Sequence, residues 1–86
     1  RGIAYLGECY ENGQGGLPQD FDKAVELYRK AIEDEQAWAM LCLGRCYEMG
    51  RGVDADQSMA VYFYRRSAKN GVSAAKDALK RLGYNE

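Results

Sequence analysis

The feature that most constrains the fold of this chain is a ten-residue segment that occurs twice. Residues 43–52 read LGRCYEMGRG and residues 6–15 read LGECYENGQG, so seven of the ten positions are identical. After one extra glycine in the first copy, Gly16, the match continues at a spacing of 36 residues, for example from Tyr28 to Tyr64. A repeat of this length that contains two helical patterns predicts an all-α solenoid of antiparallel helical hairpins.

The spacing of apolar residues divides the chain into one domain with two units and a last helix. The units are predicted over about 2–35 and 36–71, and the last helix, a terminal cap, over about 73–84. Each unit should hold a helix A, a glycine-rich loop and a helix B. Asp20 and Asp56 are the predicted N-caps of the two B helices, because an aspartate side chain accepts hydrogen bonds from free backbone N–H groups. The positions predicted to face the core are Ile3, Leu6, Cys9, Tyr10, Ala24, Leu27, Tyr28, Ala31, Ala39, Cys42, Leu43, Cys46, Tyr47, Ala60, Val61, Tyr64, Ala68, Ala75, Leu79 and Leu82.

The residue type at one position of helix A predicts how closely helix B packs against it. Gly7 and Gly44 hold it in the first two units, and Lys80 holds it in the last helix. A glycine there allows helix B of the same unit to approach closely, since it has no side chain to intervene. Lys80 is therefore expected in solvent.

Length and composition limit the class of protein. The chain has 86 residues, of which 47% are hydrophobic and one is proline, so it is expected to be a single globular domain. No apolar run approaches the roughly 20 residues of a membrane-spanning helix, so membrane insertion is not expected. The chain starts without methionine, and Arg1 aligns with Trp38 inside a helical pattern, so we expect a fragment of a longer protein.

The charge pattern argues against nucleic-acid binding and divides the chain into two halves. The net charge is −1, whereas a nucleic-acid footprint usually needs a strongly basic face. Residues 1–38 carry four basic and eight acidic side chains, giving −4, and residues 39–86 carry eight basic and five acidic ones, giving +3. The difference reflects either drift of solvated faces or polarity along the array, with one end suited to a basic neighbour and the other to an acidic one.

The repeated residues resemble a known family, the Sel-1-like repeat, a relative of the tetratricopeptide repeat. The residues that carry the resemblance are Leu6, Gly7, Tyr10, Gly13, Gly15, Asp20, Ala24, Tyr28 and Ala31, and then Leu43, Gly44, Tyr47, Gly50, Gly52, Asp56, Ala60, Tyr64, Ser67 and Ala68. The first unit departs from the pattern in two places: Gly16 is inserted, and Glu35 stands where the family usually has a glycine such as Gly71.

The resemblance implies a fold and a mode of action. It implies a right-handed superhelix whose A helices line a concave surface. It also implies an adaptor or scaffold, as in endoplasmic-reticulum degradation complexes, regulation of enzymes such as chitin synthase, and bacterial signalling and host interaction. Proteins of this family are generally not catalysts, although a few enzymes carry such repeats as a docking region.

Helical geometry predicts which residues form a binding groove. Steps of about 100° per residue place one set of A-helix positions opposite the core. Trp38 and Leu41 are its predicted apolar anchors, with Glu8, Arg45 and Arg81 as a polar row. Alternatively, Trp38 covers the turn at 34–37 or a neighbouring repeat. The nine groove candidates are Trp38, Leu41, Arg45 and Glu48 in the second unit, Glu8 and Glu11 in the first, and Asp77, Arg81 and Tyr84 in the last, and the matching positions on the same face are Arg1, Ala4 and Ala74.

The opposite, convex side offers a smaller candidate surface. Met59, Tyr62 and Arg66 are predicted there on the second helix B. They form either a second interface or the scattered apolar residues that surfaces normally carry.

The residues that carry enzyme and metal chemistry are scarce. The chain has no histidine and no CxxC pair, so its three cysteines are predicted as core residues, with metal binding or a redox role as alternatives. Reduced thiols lean towards a cytosolic compartment. The glycines at 13–16 close a helix instead of opening one, so no phosphate site is predicted. We expect no cofactor, no metal and no catalytic residue.

Three functions remain open from the sequence. The first is an adaptor that binds a partner protein or peptide through the A helices. The second is a docking or regulatory C-terminal domain of a larger enzyme. The third is a self-assembly module, which would make the chain a homo-oligomer.

Overall fold

The computed structural model describes residues 2–84, in which five α-helices and no strand occur. The helices are α1 (Gly2–Asn12), α2 (Phe21–Glu33), α3 (Ala37–Met49), α4 (Gln57–Lys69) and α5 (Ser73–Arg81). α1 packs on α2 and α3 packs on α4 as two hairpins, α2 packs on α3, and α5 packs on α4. This order of packing makes an elongated stack of 38 × 24 × 19 Å and confirms the predicted all-α solenoid. No helix in this part of the chain combines the length and apolar character that crossing a membrane requires.

Both B helices begin at the predicted aspartates. The backbone N–H of Lys23 donates to Asp20 Oδ1 at 3.1 Å, and that of Met59 donates to Asp56 Oδ1 at 3.2 Å. Both aspartates have the extended backbone typical of N-caps. The two caps are therefore repeated structural features, as the sequence predicts.

The close approach predicted at Gly7 and Gly44 is confirmed. A Cβ atom added at Gly7 would lie 2.6 Å from Cε1 of Tyr28, and one at Gly44 would lie 2.8 Å from Cδ1 of Tyr64. In each unit the tyrosine ring of helix B thus fills the space that the glycine of helix A leaves. Lys80, at the same position of α5, is exposed.

The turn between α2 and α3 resembles the turn between α4 and α5 although it has no glycine. Glu35 has φ 58°, in the left-handed region, and Gly71 has φ 94° at the equivalent place before α5. In both turns the next residue donates its backbone N–H to a carbonyl five residues earlier, Ala31 in one and Ser67 in the other, at 3.2 Å. The turns match in hydrogen bonding, but Glu35 adopts a backbone conformation that a side chain disfavours.

The core forms two clusters that follow the repeat. One joins α1, α2 and α3 with Phe63 of α4, and the other joins Leu41, α4 and α5. Cys42 and Cys46 are buried in the first cluster, as predicted, and Cys9 is buried as well. Burial raises the pKa of both Cys42 and Cys46 to about 12, so these thiols stay protonated near neutral pH.

One of the predicted core positions is exposed, and another, Leu27, is half-buried and lies in neither cluster. Leu6 is 42% exposed, whereas its equivalents Leu43 and Leu79 are 0% and 1% exposed. Those two leucines pack in clusters that contain residues of the preceding helix B, α2 for Leu43 and α4 for Leu79. Within residues 2–84 no helix B precedes α1, so the same position stays open.

Candidate functional site

A cavity of about 390 Å³ opens between α3, which is helix A of the second unit, and α5, the last helix. We call it the α3–α5 groove. It is lined by Trp38, Leu41, Arg45, Met49, Tyr64, Ala74, Asp77, Ala78 and Arg81. Five of the nine residues predicted from helical spacing therefore lie around one cavity: Trp38, Leu41, Arg45, Asp77 and Arg81.

The apolar part of the α3–α5 groove has an exposed rim and a buried wall. Trp38 is 42% exposed and Met49 is 53% exposed. Leu41 is only 7% exposed, because it packs in the second core cluster. The expectation that Leu41 lies opposite the core is thus wrong, and so is that for Ala4, which is fully buried. Trp38 and Met49, near opposite ends of α3, are the exposed apolar residues of this groove.

Arg45, in the wall of the α3–α5 groove, is held by a buried carboxylate of the first unit. Its Nη2 donates to Glu11 Oε1 at 2.9 Å and its Nε donates to Glu11 Oε2 at 3.3 Å. Tyr28 Oη donates to Glu11 Oε1 at 2.6 Å, and Arg51 Nη1 donates to Glu11 Oε2 at 2.9 Å. We call these four residues the inner cluster. It ties α1 to α2, α3 and the loop after α3, and it corrects the prediction for Glu11, which is fully buried rather than open to a ligand.

Hydrogen bonding keeps the buried Glu11 ionised. Burial alone would raise the pKa of Glu11, but the hydrogen bonds from Arg45, Tyr28 and Arg51 and the charge of Arg45 outweigh it. The pKa of Glu11 therefore lies below its usual value of 4.5. Burial, together with its hydrogen bond to Glu11 and nearby negative charge, raises the pKa of Tyr28, which remains a hydrogen-bond donor.

The same arrangement recurs one repeat later around Glu48. Tyr64 Oη donates to Glu48 Oε1 at 2.6 Å. Arg81 makes a bidentate pair, with Nη1 2.6 Å from Oε2 and Nη2 2.9 Å from Oε1. We call these three residues the outer cluster. The hydrogen bonds from Arg81 and Tyr64 lower the pKa of Glu48.

Two further groove candidates, like Glu11 and Glu48, do not line the α3–α5 groove. Glu8 is half-buried on α1 and is absent from the lining of this cavity. Tyr84 follows α5 and packs on the second core cluster, with the Arg65 guanidinium 5.3 Å from its ring centroid. The structure thus separates these two from the five that it brings together.

Sequence reasoning missed three members of the clusters as polar partners. Tyr28 and Tyr64 were expected only as core residues, and Arg51 only as part of a loop. A signal existed, because glutamate, tyrosine and arginine recur together at the repeat spacing, as Glu11 with Glu48, Tyr28 with Tyr64 and Arg45 with Arg81. When a glutamate recurs at one A-helix position and an arginine recurs at another in the next A helix, the two residues are expected to form an ion pair between units.

These features define a class of protein, the α-solenoid of stacked helical hairpins, with a groove between successive A helices. Within that class the chain belongs to the Sel1 repeat family, whose family model matches residues 1–35 and 39–72.

Three relatives from different organisms illustrate the family. The Sel1-repeat-containing protein YjcO of Escherichia coli K12 is 33% identical over 99% of this chain and 34% of its own length. HRD3A of Arabidopsis thaliana, an ERAD-associated E3 ubiquitin-protein ligase component, is 33% identical over 80% of this chain and 10% of its own. The crystal structure of a Sel1 repeat protein from Oxalobacter formigenes superposes with a TM-score of 0.85 and 34% identity, over 93% of this chain and 23% of that one.

Membership of the Sel1 repeat family indicates a general function. Sel1 repeats generally mediate protein–protein interaction, and the family is typically non-catalytic. The chain spans between 10% and 34% of the length of these curated relatives, so their whole activities extend well beyond the part they share with it.

Proposed function

We propose that this chain is a protein-interaction module that binds a partner protein or peptide in the α3–α5 groove. The observation that carries the proposal is a cavity of about 390 Å³ with an exposed apolar side chain near each end of α3, Trp38 and Met49. Tryptophan is enriched among residues that dominate binding energies, and methionine adapts its shape to different ligands.

The charges around the α3–α5 groove favour a particular ligand chemistry. Arg81 pairs with Glu48, whereas Arg45 shares Glu11 with Arg51. Asp77 also lines the groove and has no ion-pair partner among residues 2–84. We infer that a ligand with an apolar side chain and a lysine or arginine that reaches Asp77 suits this groove.

The test is peptide selection followed by affinity measurement. Peptides selected from a displayed library on the intact chain are measured against Trp38→Ala by titration calorimetry. Loss of a hot-spot tryptophan is expected to weaken binding about tenfold or more. Asp77→Asn should weaken the binding of peptides that carry a basic residue and leave others unchanged.

The matched control is Tyr62→Ala on α4. Tyr62 is an aromatic residue of similar exposure, 51%, and it does not line the α3–α5 groove. Equal affinities for the parent and Trp38→Ala, with both proteins helical by circular dichroism, would refute the proposal. Arg45 is unsuitable as a test position, because its substitution also breaks the inner cluster.

A further inference from the structure

The convex side of α4 carries a cleft whose charged lining residues are all basic. It has a volume of about 330 Å³. We call it the α4 cleft, and it is lined by Ser58, Val61, Tyr62, Arg65, Arg66 and Lys69. Of the three residues predicted on this side, Tyr62 and Arg66 line the cleft, whereas Met59 packs against the first core cluster. Three cations and no carboxylate therefore line one cavity.

The repeat supplies a comparison for this cleft, because α2 has the same six positions 36 residues earlier. They hold Asp22, Val25, Glu26, Arg29, Lys30 and Glu33. Three acidic and two basic side chains give these positions −1, whereas the six positions of α4 carry +3. Four of the α2 positions also line a cavity, of about 560 Å³, beside Gly52 of the following unit. A cleft on this side of helix B thus stays open where another unit follows, and its charge is reversed between α2 and α4.

The basic side chains of the α4 cleft are not held by buried carboxylates. The guanidinium of Arg66 lies 5.6 Å from the ring centroid of Tyr62, which is 51% exposed and packs edge-on against Phe63. Glu35 Oε1 lies 3.9 Å from Arg66 Nη2, but the Glu35 side chain is 74% exposed, so solvent screens this pair. Lys69 is exposed and has no ion-pair partner among residues 2–84. Arg66 and Lys69 can therefore pair with a ligand.

The charge and the length of the α4 cleft define the chemistry of that ligand. Carboxylates pair with arginine and lysine, and the exposed ring of Tyr62 adds apolar contact area. From Ser58 to Lys69 the helix rises by about 16 Å, which matches about five residues of extended chain. A nucleic acid that extended over α2 would meet Glu26 and Glu33 and be repelled. A short acidic peptide segment fits these features best.

We propose that the α4 cleft binds a short acidic segment of a partner protein. Carboxylates of the segment pair with Arg66 and Lys69, and an apolar side chain packs on Tyr62. The α4 cleft shares no lining residue with the α3–α5 groove, and it takes the opposite ligand charge, since the groove presents Asp77. The proposal therefore does not depend on peptide binding in the α3–α5 groove.

The experiment is a titration of the isotopically labelled 86-residue chain with the end-blocked pentapeptide EELEE, followed by NMR. The amide signals of Tyr62, Arg66 and Lys69 should shift together and saturate at one peptide per chain. Those of Glu26 and Glu33, at the equivalent positions of α2, should not move. The dissociation constant should increase between about 50 mM and about 500 mM salt, because salt screens exposed charges.

The decisive variant gives the α4 cleft the residues of α2, as Tyr62→Glu with Lys69→Glu. Both positions are exposed, and their equivalents Glu26 and Glu33 lie in a folded helix, so folding is expected to persist. The dissociation constant for EELEE should increase about tenfold or more. The matched control is Lys23→Gln with Lys30→Glu on α2. Both variants lower the net charge by three, and only the first changes the α4 cleft.

Four outcomes would overturn the proposal. The first is the absence of any shift at about millimolar peptide. The second is an equal loss of affinity in the α4 and α2 variants, which would reflect overall charge. The third is equally tight binding of an oligothymidylate of the same charge, which would indicate a general polyanion surface. The fourth is loss of EELEE binding in Trp38→Ala, which would assign the peptide to the α3–α5 groove. Circular dichroism checks folding, and the signals that shift in the parent test the site without any variant.

Discussion

The inner and outer clusters use the same repeat positions but differ in burial and in the number of donors. Glu11 is fully buried and accepts from one tyrosine and two arginines, whereas the side chain of Glu48 is 18% exposed and accepts from one tyrosine and one arginine. Arg45 is 29% exposed, against 56% for Arg81. The same residue types therefore contribute differently to the free energy of unfolding in the two units, since solvent screens the outer ion pair far more than the inner one.

The extra donor of the inner cluster comes from the loop after α3. A Cβ atom added at Gly52 would lie 2.6 Å from the carbonyl oxygen of Phe21, so this loop is pressed against the start of α2. The Arg51 guanidinium lies 5.5 Å from the ring centroid of Phe21 and reaches Glu11 from there. The inner cluster thus joins both units through a loop contact that the outer cluster does not have among residues 2–84.

The two clusters should differ most in the free energy of unfolding that is lost when their glutamates are replaced, by Glu11→Gln in one and by Glu48→Gln in the other. Glu11→Gln removes the charge that two partly buried arginines share, and loss of one partner from a buried ion pair costs about 3–5 kcal/mol. Glu48→Gln should cost about 1 kcal/mol or less, as for other solvent-screened pairs. Urea unfolding followed by circular dichroism measures both. Equal losses in the two variants would contradict the difference inferred from burial.

Acid should remove the stabilisation that the ionised Glu11 and Glu48 contribute. The pKa values of Glu11 and Glu48 both lie below the usual 4.5, so their stabilisation is fully present above that value. It is lost as the pH falls through the lower folded-state pKa, because the unfolded chain then binds more protons than the folded one. Urea midpoints measured from about pH 7 down to about pH 2 should therefore fall below about pH 4.5.

Glu11→Gln and Glu48→Gln show which of the two glutamates causes the loss of stability in acid. Glu11→Gln should flatten the fall in the urea midpoint, whereas Glu48→Gln should retain most of it. Asp20 and Asp56 are unchanged in both variants, so any acid effect on the helix caps cancels in the comparison. A steep fall that persists in Glu11→Gln would assign the acid sensitivity to other carboxylates.

The contrast between the clusters also shows where sequence reasoning succeeds. Helix ends were predictable because Asp20, Asp56 and the loop glycines act on their own backbone neighbours. The close contact at Gly7 was predictable because the repeat gave the position twice. Five of the nine groove candidates line one cavity, because α-helical spacing sets which side chains share a face and the repeat aligns that face in α3 and α5.

Burial that depends on distant residues was not predictable in the same way. Glu11 is buried by side chains 17, 34 and 40 residues away, and a single helical period assigned it to an open face. Leu6 was placed in the core because its repeat equivalents are apolar, but its burial depends on a preceding helix B. The repeat fixes which residue types recur, whereas their exposure depends on which units lie on either side.

Arg51→Gln should make the inner cluster resemble the outer one. Glu11 would keep Tyr28 and Arg45, the counterparts of Tyr64 and Arg81. The expected loss is about 1–2 kcal/mol, since one charge-assisted hydrogen bond to a buried carboxylate disappears while the others remain. Urea unfolding measures it, with Arg29→Gln as the control for an arginine that bonds Tyr47 at the surface. A loss as large as that of Glu11→Gln would mean that Arg51 rather than Arg45 is the main partner.

The smallest expected effects separate the two turns that follow the B helices. Gly71→Ala places a side chain at φ 94° and should destabilise the chain by about 1 kcal/mol.

Glu35→Gly relieves the left-handed backbone at φ 58°. The same change makes the unfolded chain more flexible, and it removes a long, exposed ion pair with Arg66 at 3.9 Å. These terms oppose each other, so Glu35→Gly should change the free energy of unfolding by less than about 1 kcal/mol, in the stabilising direction. Thermal and urea unfolding measure the free energy change in both variants. A clear destabilisation by Glu35→Gly would contradict the prediction, because the Glu35 side chain would then stabilise the turn by more than the left-handed backbone costs.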